Sequence, residues 1–214
     1  MTDYLRASVE DYLDAAAGGE PTPGGGSVSA LAGALGATMA SMAGNFTSGK
    51  KKFAGVQEEV NGLLEALSAA RQRLVDLVQK DTDAYGAVSE AFKRPRKTDE
   101  EKRERKAAVA DACRGAMAVP LDAVRACREA LVATRRMAEI ANPNLITDVG
   151  VAAILLEAAA RGAALNVRVN LPSINDPQTS EQVGAELDNA LSECASLSQE
   201  SMKLVETAMA GGAG

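Results

Sequence analysis

Apolar residues recur at three- and four-residue intervals along almost the whole chain, and the pattern reads as a succession of helices. Leu5, Val9, Tyr12 and Leu13 predict a first helix that stops at Gly18-Gly19. A second is predicted from Ser27 to about Asn45, where Gly33, Gly36, Ala37, Ala40 and Ala43 keep the flanks small enough for another helix to cross closely. Val60, Leu63, Leu64, Leu67, Leu74, Leu77, Val78, Tyr85 and Val88 predict one long helix, or two nearly coaxial ones, from about Val56 to Phe92. Lys93-Arg94-Pro95-Arg96-Lys97 ends it, and Thr98 with Glu101 has the form of a capping box for the next helix. The mixed charges through Lys106 read as a solvated loop and helix start, and Pro120 predicts a kink or break before a segment reaching about Ile140. Asn142-Pro143-Asn144 is a turn, Thr147 or Asp148 opens an apolar helix through Leu165, and Leu171 to Pro177 is a loop. Thr179 and Gln182 are spaced as a capping box for a final helix toward Met209, after which Gly211 to Gly214 should fray. The fold expected is all-α: one domain over residues 1–214, built of long, antiparallel packed helices.

Composition agrees with that reading and narrows the chemistry. The chain is 46% hydrophobic but only 3% aromatic, so burial has to come from many small contacts between closely approaching helices. A net charge of −6 argues against general nucleic-acid binding, which needs clustered surplus Lys and Arg. With no histidine present, acid-base chemistry falls to carboxylates, Lys or Tyr. Cys113, Cys127 and Cys194 lack metal-ligand spacing and read as buried free thiols in a reducing compartment. The N-terminus has no basic-then-apolar signal, and no uninterrupted apolar run looks long enough to cross a bilayer, so a cytoplasmic protein is expected.

Two stretches carry candidate chemistry. Pro21-Thr22-Pro23 stiffens the approach to Gly24-Gly25-Gly26-Ser27, where a helix begins with no Cβ in the way; this is anion-binding geometry or simply a helix cap. The second helix leaves through Gly44-Asn45 to Gly49-Lys50-Lys51, which matches a nucleotide-binding P-loop up to its lysine. The match is rejected, because Lys51 stands where a magnesium-binding hydroxyl is needed and a Gly/Ala helix precedes it in place of a strand. Asp81 and Tyr85 lie one turn apart, and Tyr85 falls on the apolar stripe, so Asp81 is drawn toward the buried side where its pKa would rise. A structural ion pair is the competing reading. Asp148 at a helix start is ordinarily a favourable cap, and Asn142, Asn144, Asn166 and Asn170 singly would each satisfy a turn.

Taken together and in order, Pro23-Gly24-Gly25-Gly26-Ser27, Gly49-Lys50-Lys51-Lys52-Phe53, Asp81-x-x-Ala84-Tyr85, and Asn142 through Asp148 to Asn166-Val167-x-x-Asn170 resemble the cyclodeaminase/cyclohydrolase family of folate enzymes. The resemblance runs from about Tyr4 to past Asn170, with Tyr85 where the family commonly has Phe. It implies an all-helical homodimer with a catalytic aspartate at Asp81 and a small-molecule folate substrate. The implied substrate-binding set is Gly24, Gly25, Gly26, Ser27, Asn45, Lys50, Lys51, Tyr85, Asn142, Asp148, Asn166 and Asn170. Within it, Asp148 is assigned to the donor edge of the pterin and Lys50 or Lys51 to the glutamate tail. The implied reaction is hydrolysis of 5,10-methenyltetrahydrofolate to 10-formyltetrahydrofolate. It needs no metal, nucleotide or redox cofactor, since the bridging carbon is already electrophilic, and no nucleic-acid or membrane partner. Cyclodeamination of formiminotetrahydrofolate on the same scaffold is one alternative; a non-catalytic helical folate-binding or assembly protein is another.

Overall fold

Helix α2 (Gly25–Asn45) is the element against which the rest of the chain is packed. In the computed structural model, which describes residues 3–211, it is accompanied by α1 (Val9–Ala17), α3 (Gln57–Lys93), α4 (Asp99–Ile140), α5 (Ile146–Asn170) and α6 (Pro177–Gly211). Ala30, Ala34, Ala37, Ala40 and Ala43 of α2 are buried, so its neighbours approach it at close range. At Gly36 a Cβ would stand 2.8 Å from Leu156 and 3.2 Å from the Ala152 carbonyl, a crossing only glycine allows. The pairing is antiparallel: Gly25 lies against Asn166 and Gly36 against Leu156. Leu67, Leu74, Leu131, Met137, Leu156 and Leu187 fill the shared core, with α6 laid on α4 and α5. Ion pairs fasten the outer surfaces, among them Arg125 to Glu186 at 2.6 and 2.8 Å between α4 and α6, and Arg73 to Asp122 between α3 and α4.

The all-α expectation holds, and several local expectations are corrected. The first helix begins at Val9 behind a Ser8/Asp11 capping box, and only Tyr12 of its expected stripe is buried; Val9 is 78% exposed and Leu13 60%. α2 starts at Gly25, so Gly25 and Gly26 belong to its first turn. α4 runs unbroken through Pro120, whose missing N–H leaves the Ala116 carbonyl without its helical donor. The Thr98/Glu101 capping box forms as expected, but helix starts at once at Asp99 and carries the charged run on its exposed surface. α6 opens at Pro177 with Asp176 accepting the Thr179 N–H at 3.1 Å, in place of a Thr179/Gln182 box. Gly211 ends α6 in helical conformation, and the rest of the expected fraying tail lies outside the described residues. α2 is, by length and composition, apolar enough to span a bilayer, contrary to expectation, because Gly and Ala supply apolarity without bulk; much of it is buried in the helical core.

Candidate functional site

The N-terminus of α2 has no side-chain cap of its own: Gly24 occupies the capping position. The first turn presents free N–H groups, and a carboxylate from α3 fills the place. Asp81 Oδ2 accepts the Ser27 N–H at 2.9 Å. A Cβ on Gly26 would stand 2.0 Å from Asp81 Oδ1, so the glycine makes the space the carboxylate occupies. Burial pushes the Asp81 carboxyl above its ordinary pKa, with the Ser27 N–H pulling the other way. Among the described residues no Lys or Arg is ion-paired with Asp81, so the structural ion-pair reading does not apply.

Beneath this turn, Tyr12 Oη and Ser27 Oγ lie 2.9 Å apart, both residues buried. The Tyr12 phenol is pushed up by burial, and the nearby Asp81 charge adds to the shift. Tyr4 meets the Tyr12 ring edge-on at 5.7 Å and donates from its hydroxyl to the Thr22 carbonyl at 3.2 Å. The segment before α2 is thereby fastened over the buried side of the Asp81 turn.

Asp81 faces a cleft of about 420 Å³, a volume suited to a small organic ligand. Pro21, Thr22, Gly24 and Gly25 form one rim; Asp81, Tyr85, Val88 and Phe92 of α3 form a wall; Cys113 and Ala116 of α4 face Asn166, Val169 and Asn170 of α5. Asn166 Nδ2 donates to the Gly162 carbonyl at 3.1 Å and Asn170 Nδ2 to the Asn166 carbonyl at 2.9 Å. Each amide thus spends one hydrogen on its own helix and keeps an acceptor oxygen and a second N–H for a ligand. The cleft therefore offers a partly buried carboxylate, two amides and aromatic surface from Tyr85 and Phe92.

Six of the sequence-derived residues meet here: Gly24, Gly25, Asp81, Tyr85, Asn166 and Asn170 line the cleft. Gly26 and Ser27 shape and hold its carboxylate. The others are elsewhere. Asn45 lies at the far end of α2, about 30 Å from Gly25 at about 1.5 Å per residue. It borders a separate groove with Met42, Phe46, Leu64 and Arg71. Lys50 and Lys51 follow on an exposed turn, where the Gly49 N–H is taken by Gln57 Oε1 at 2.6 Å. Asn142 donates from its backbone to Thr47 Oγ1 at 2.8 Å, and its own Oδ1 caps Asn144. Asp148 sits in the first turn of α5, about 27 Å along the helix from Asn166. The assignment of Asp148 and the lysines to one ligand with Asp81 is therefore corrected for a single subunit: α2 and α5 hold them a full helix length apart.

Tyr12, Phe92 and Cys113 were not singled out from the sequence as site residues. Phe92 and Val88 were findable, because they follow Asp81 and Tyr85 at helical spacing on one face of α3. Tyr12 gave only the signal of an apolar helix position.

Comparison with known proteins places this geometry among relatives. Residues 8–189 match the formiminotransferase-cyclodeaminase family. Methenyltetrahydrofolate cyclohydrolase of Methylorubrum extorquens is 38% identical over 200 residues, covering 94% of this chain and 96% of that protein. Formimidoyltransferase-cyclodeaminase of Mus musculus is 33% identical over 88% of this chain, which spans only 35% of that longer protein. The crystal structure of formiminotetrahydrofolate cyclodeaminase from Thermotoga maritima superposes with a TM-score of 0.85 at 31% identity, covering 94% of this chain and 97% of that one.

Proposed function

The chain belongs to the formiminotransferase-cyclodeaminase family, and we propose that within it the protein hydrolyses 5,10-methenyltetrahydrofolate to 10-formyltetrahydrofolate. The observation that carries the reading is Asp81: a carboxylate without a cationic partner among the described residues, held by the Ser27 N–H and open to a cleft of ligand size. The cyclohydrolase relative, matched over 96% of its length, supports the reaction class.

The methenyl bridge is a cationic amidinium, and a carboxylate beside it stabilises that charge. Water adds to the bridging carbon, and Asp81 takes one of its protons, leaving a neutral hydroxylated adduct. Asp81 then returns the proton to N5 as the carbon–N5 bond breaks; the hydroxyl proton leaves to solvent, and the formyl group stays on N10. The raised pKa of Asp81 fits a group that must both accept and return a proton. Asn166 and Asn170 offer the amide groups for polar edges of the substrate, and Tyr85 and Phe92 the surface for its rings. The carbon is electrophilic from the start, so the reaction requires no metal, nucleotide or redox cofactor. A homodimer acting on this small-molecule substrate is part of the proposal.

Cyclodeamination is the second reading, favoured by the Thermotoga cyclodeaminase, which is matched over 97% of its length; chain length thus does not separate the two activities. Purified protein given methenyltetrahydrofolate and formiminotetrahydrofolate in parallel, with the methenyl chromophore followed, separates them. Accelerated loss with the first supports hydrolysis, gain with the second supports deamination, and no change with either returns the chain to the binding-protein reading.

A further inference from the structure

The C-terminal end of α3 reaches the Asp81 cleft through Phe92, which is 48% exposed and stands outside the hydrophobic core. Beside it, the groove between α3 and α4 is lined by small residues, Ala87 and Ala91 on one helix and Ala107, Ala108 and Ala112 on the other. Alanine lets the helices approach but offers little surface against which a large ring could lock. Phe92 is held instead by Arg105 of α4. Its Nε and Nη2 donate to the Phe92 carbonyl at 3.2 and 3.1 Å, and its guanidinium carbon lies 5.3 Å from the centroid of the Phe92 ring. One side chain thus grips both the backbone and the ring of a cleft-lining residue.

Local chemistry makes this arginine available. The carbonyls in the last turn of α3 have no helical donors of their own, and a cation there meets the negative end of the helix. Glu101, four residues before Arg105 on α4, is placed to be its ion-pair partner. The capping box draws Glu101 Oε2 back to the Lys97 and Thr98 N–H groups, at 2.6 and 3.0 Å. Lys93 and Lys102 nearby are taken by Glu90 and Asp99 at 2.7 and 2.8 Å, whereas among the described residues Arg105 makes no ion pair. Its guanidinium is left for Phe92.

We propose, on the basis of the folate reading above, that Arg105 is a positioning residue for substrate binding: it fixes the Phe92 ring as the wall on which a ring of the substrate rests. The guanidinium covers one side of the Phe92 ring, so the surface left for a ligand is the rest of it. A cation already seated on the ring makes it a poor second seat for the cationic amidinium and a better one for an electron-rich ring. Distance gives the same division. Phe92 lies about 16 Å along α3 from Asp81, at about 1.5 Å per residue, and helical side chains lean back toward the N-terminus, here toward Asp81. The ring therefore meets a part of the substrate remote from the reacting carbon, while the amidinium stays with the carboxylate. Arg105 acts through binding and not through the chemical step.

Arg105→Ala is expected to raise KM for methenyltetrahydrofolate about three- to fivefold with kcat within about twofold of wild type. Arg105→Lys, which keeps a cation over the ring but not the two-pronged bond to the carbonyl, should recover part of that loss. Adding Arg105→Ala to Phe92→Ala should raise KM no further than Phe92→Ala alone. Arg103→Ala removes an equal charge from the same turn of α4 and should leave KM unchanged. The chain has no tryptophan, so Phe92→Trp places a single reporter at the wall. In that background Arg105→Ala should make the indole about twice as quenchable by acrylamide, with the helical circular dichroism unchanged. An unchanged KM, a loss confined to kcat, a lysine variant no better than the alanine one, additive losses in the double variant, an Arg103→Ala effect equal to that of Arg105→Ala, or unchanged quenching would each overturn the proposal. A wild type inactive on methenyltetrahydrofolate would instead refute the folate reading, and the quenching measurement would still decide whether Arg105 holds the ring.

Discussion

Asp81 caps a helix to which it does not belong: its Oδ2 accepts the Ser27 N–H of α2 at 2.9 Å from a position on α3. The bond fixes the carboxylate at the cleft that Asp81 lines. Asp81→Asn keeps the size and the accepting oxygen but cannot carry the proton. Turnover should fall about 10²- to 10⁴-fold with the helical spectrum unchanged. Steady-state kinetics on methenyltetrahydrofolate decide it, and turnover near wild type would remove Asp81 from the chemistry.

The same residue sets a pH dependence whose sign follows from its environment. Burial raises the native pKa above the ordinary 3.8 of the unfolded chain, so over the window between the two the folded state holds a proton that the unfolded state has lost. Stability therefore falls as pH rises through that window, and the penalty is complete above the native pKa. Asp81→Asn should remove the penalty and raise the thermal midpoint at neutral pH. For the wild type, the acid limb of kcat/KM should lie above 3.8, since the ionised form accepts the water's proton. An acid limb at the ordinary carboxylate value, or an Asn variant less stable at neutral pH, would count against a buried, uncompensated Asp81.

Gly26 and Gly25 are neighbours in sequence with different tolerances. A Cβ at Gly26 falls 2.0 Å from Asp81 Oδ1, whereas one at Gly25 falls 3.3 Å from Asn166 Nδ2, which can give by a few tenths of an ångström. Gly26→Ala should displace the carboxylate, cost about 1–3 kcal/mol of stability and reduce kcat by at least about tenfold; Gly25→Ala should leave most of both. Parallel denaturation and kinetics on the two variants test the contrast, and equal losses would contradict it.

What could be read from the chain alone divides along physical lines. Helical spacing located α2, α3 and α5 because their buried faces are periodic, and the same spacing drew Asp81 toward the interior. Pro120 misled because a proline removes one bond from a helix, and a 42-residue helix packed along most of its length tolerates that loss. α1 misled because Val9 and Leu13 are apolar without being buried, which periodicity cannot distinguish from core. The sequence signal for the start of α2 falls late, at Ser27, because glycine has no capping side chain and the cap comes instead from Asp81, 54 positions away. Motif order could not reveal that Asn45, Lys50 and Asp148 lie a helix length from Asp81; only the antiparallel pairing of α2 with α5 does that.

Tyr12 supplies the last test, because it touches the site only through Ser27. Its hydroxyl lies 2.9 Å from Ser27 Oγ, and both side chains are buried, so Tyr12→Phe strands one polar group at a cost of about 1 kcal/mol, or about 2–4 °C in thermal midpoint. Ser27 is also the residue whose N–H holds Asp81, so loosening its side chain should lower kcat while leaving KM in place. Ser27→Ala removes the same bond from the other side. If the bond positions the turn, the double variant should lose little more kcat than either single one, a coupling that two independent packing defects would not show. Additive losses in the double-mutant cycle would mean that Tyr12 merely fills space beneath α2.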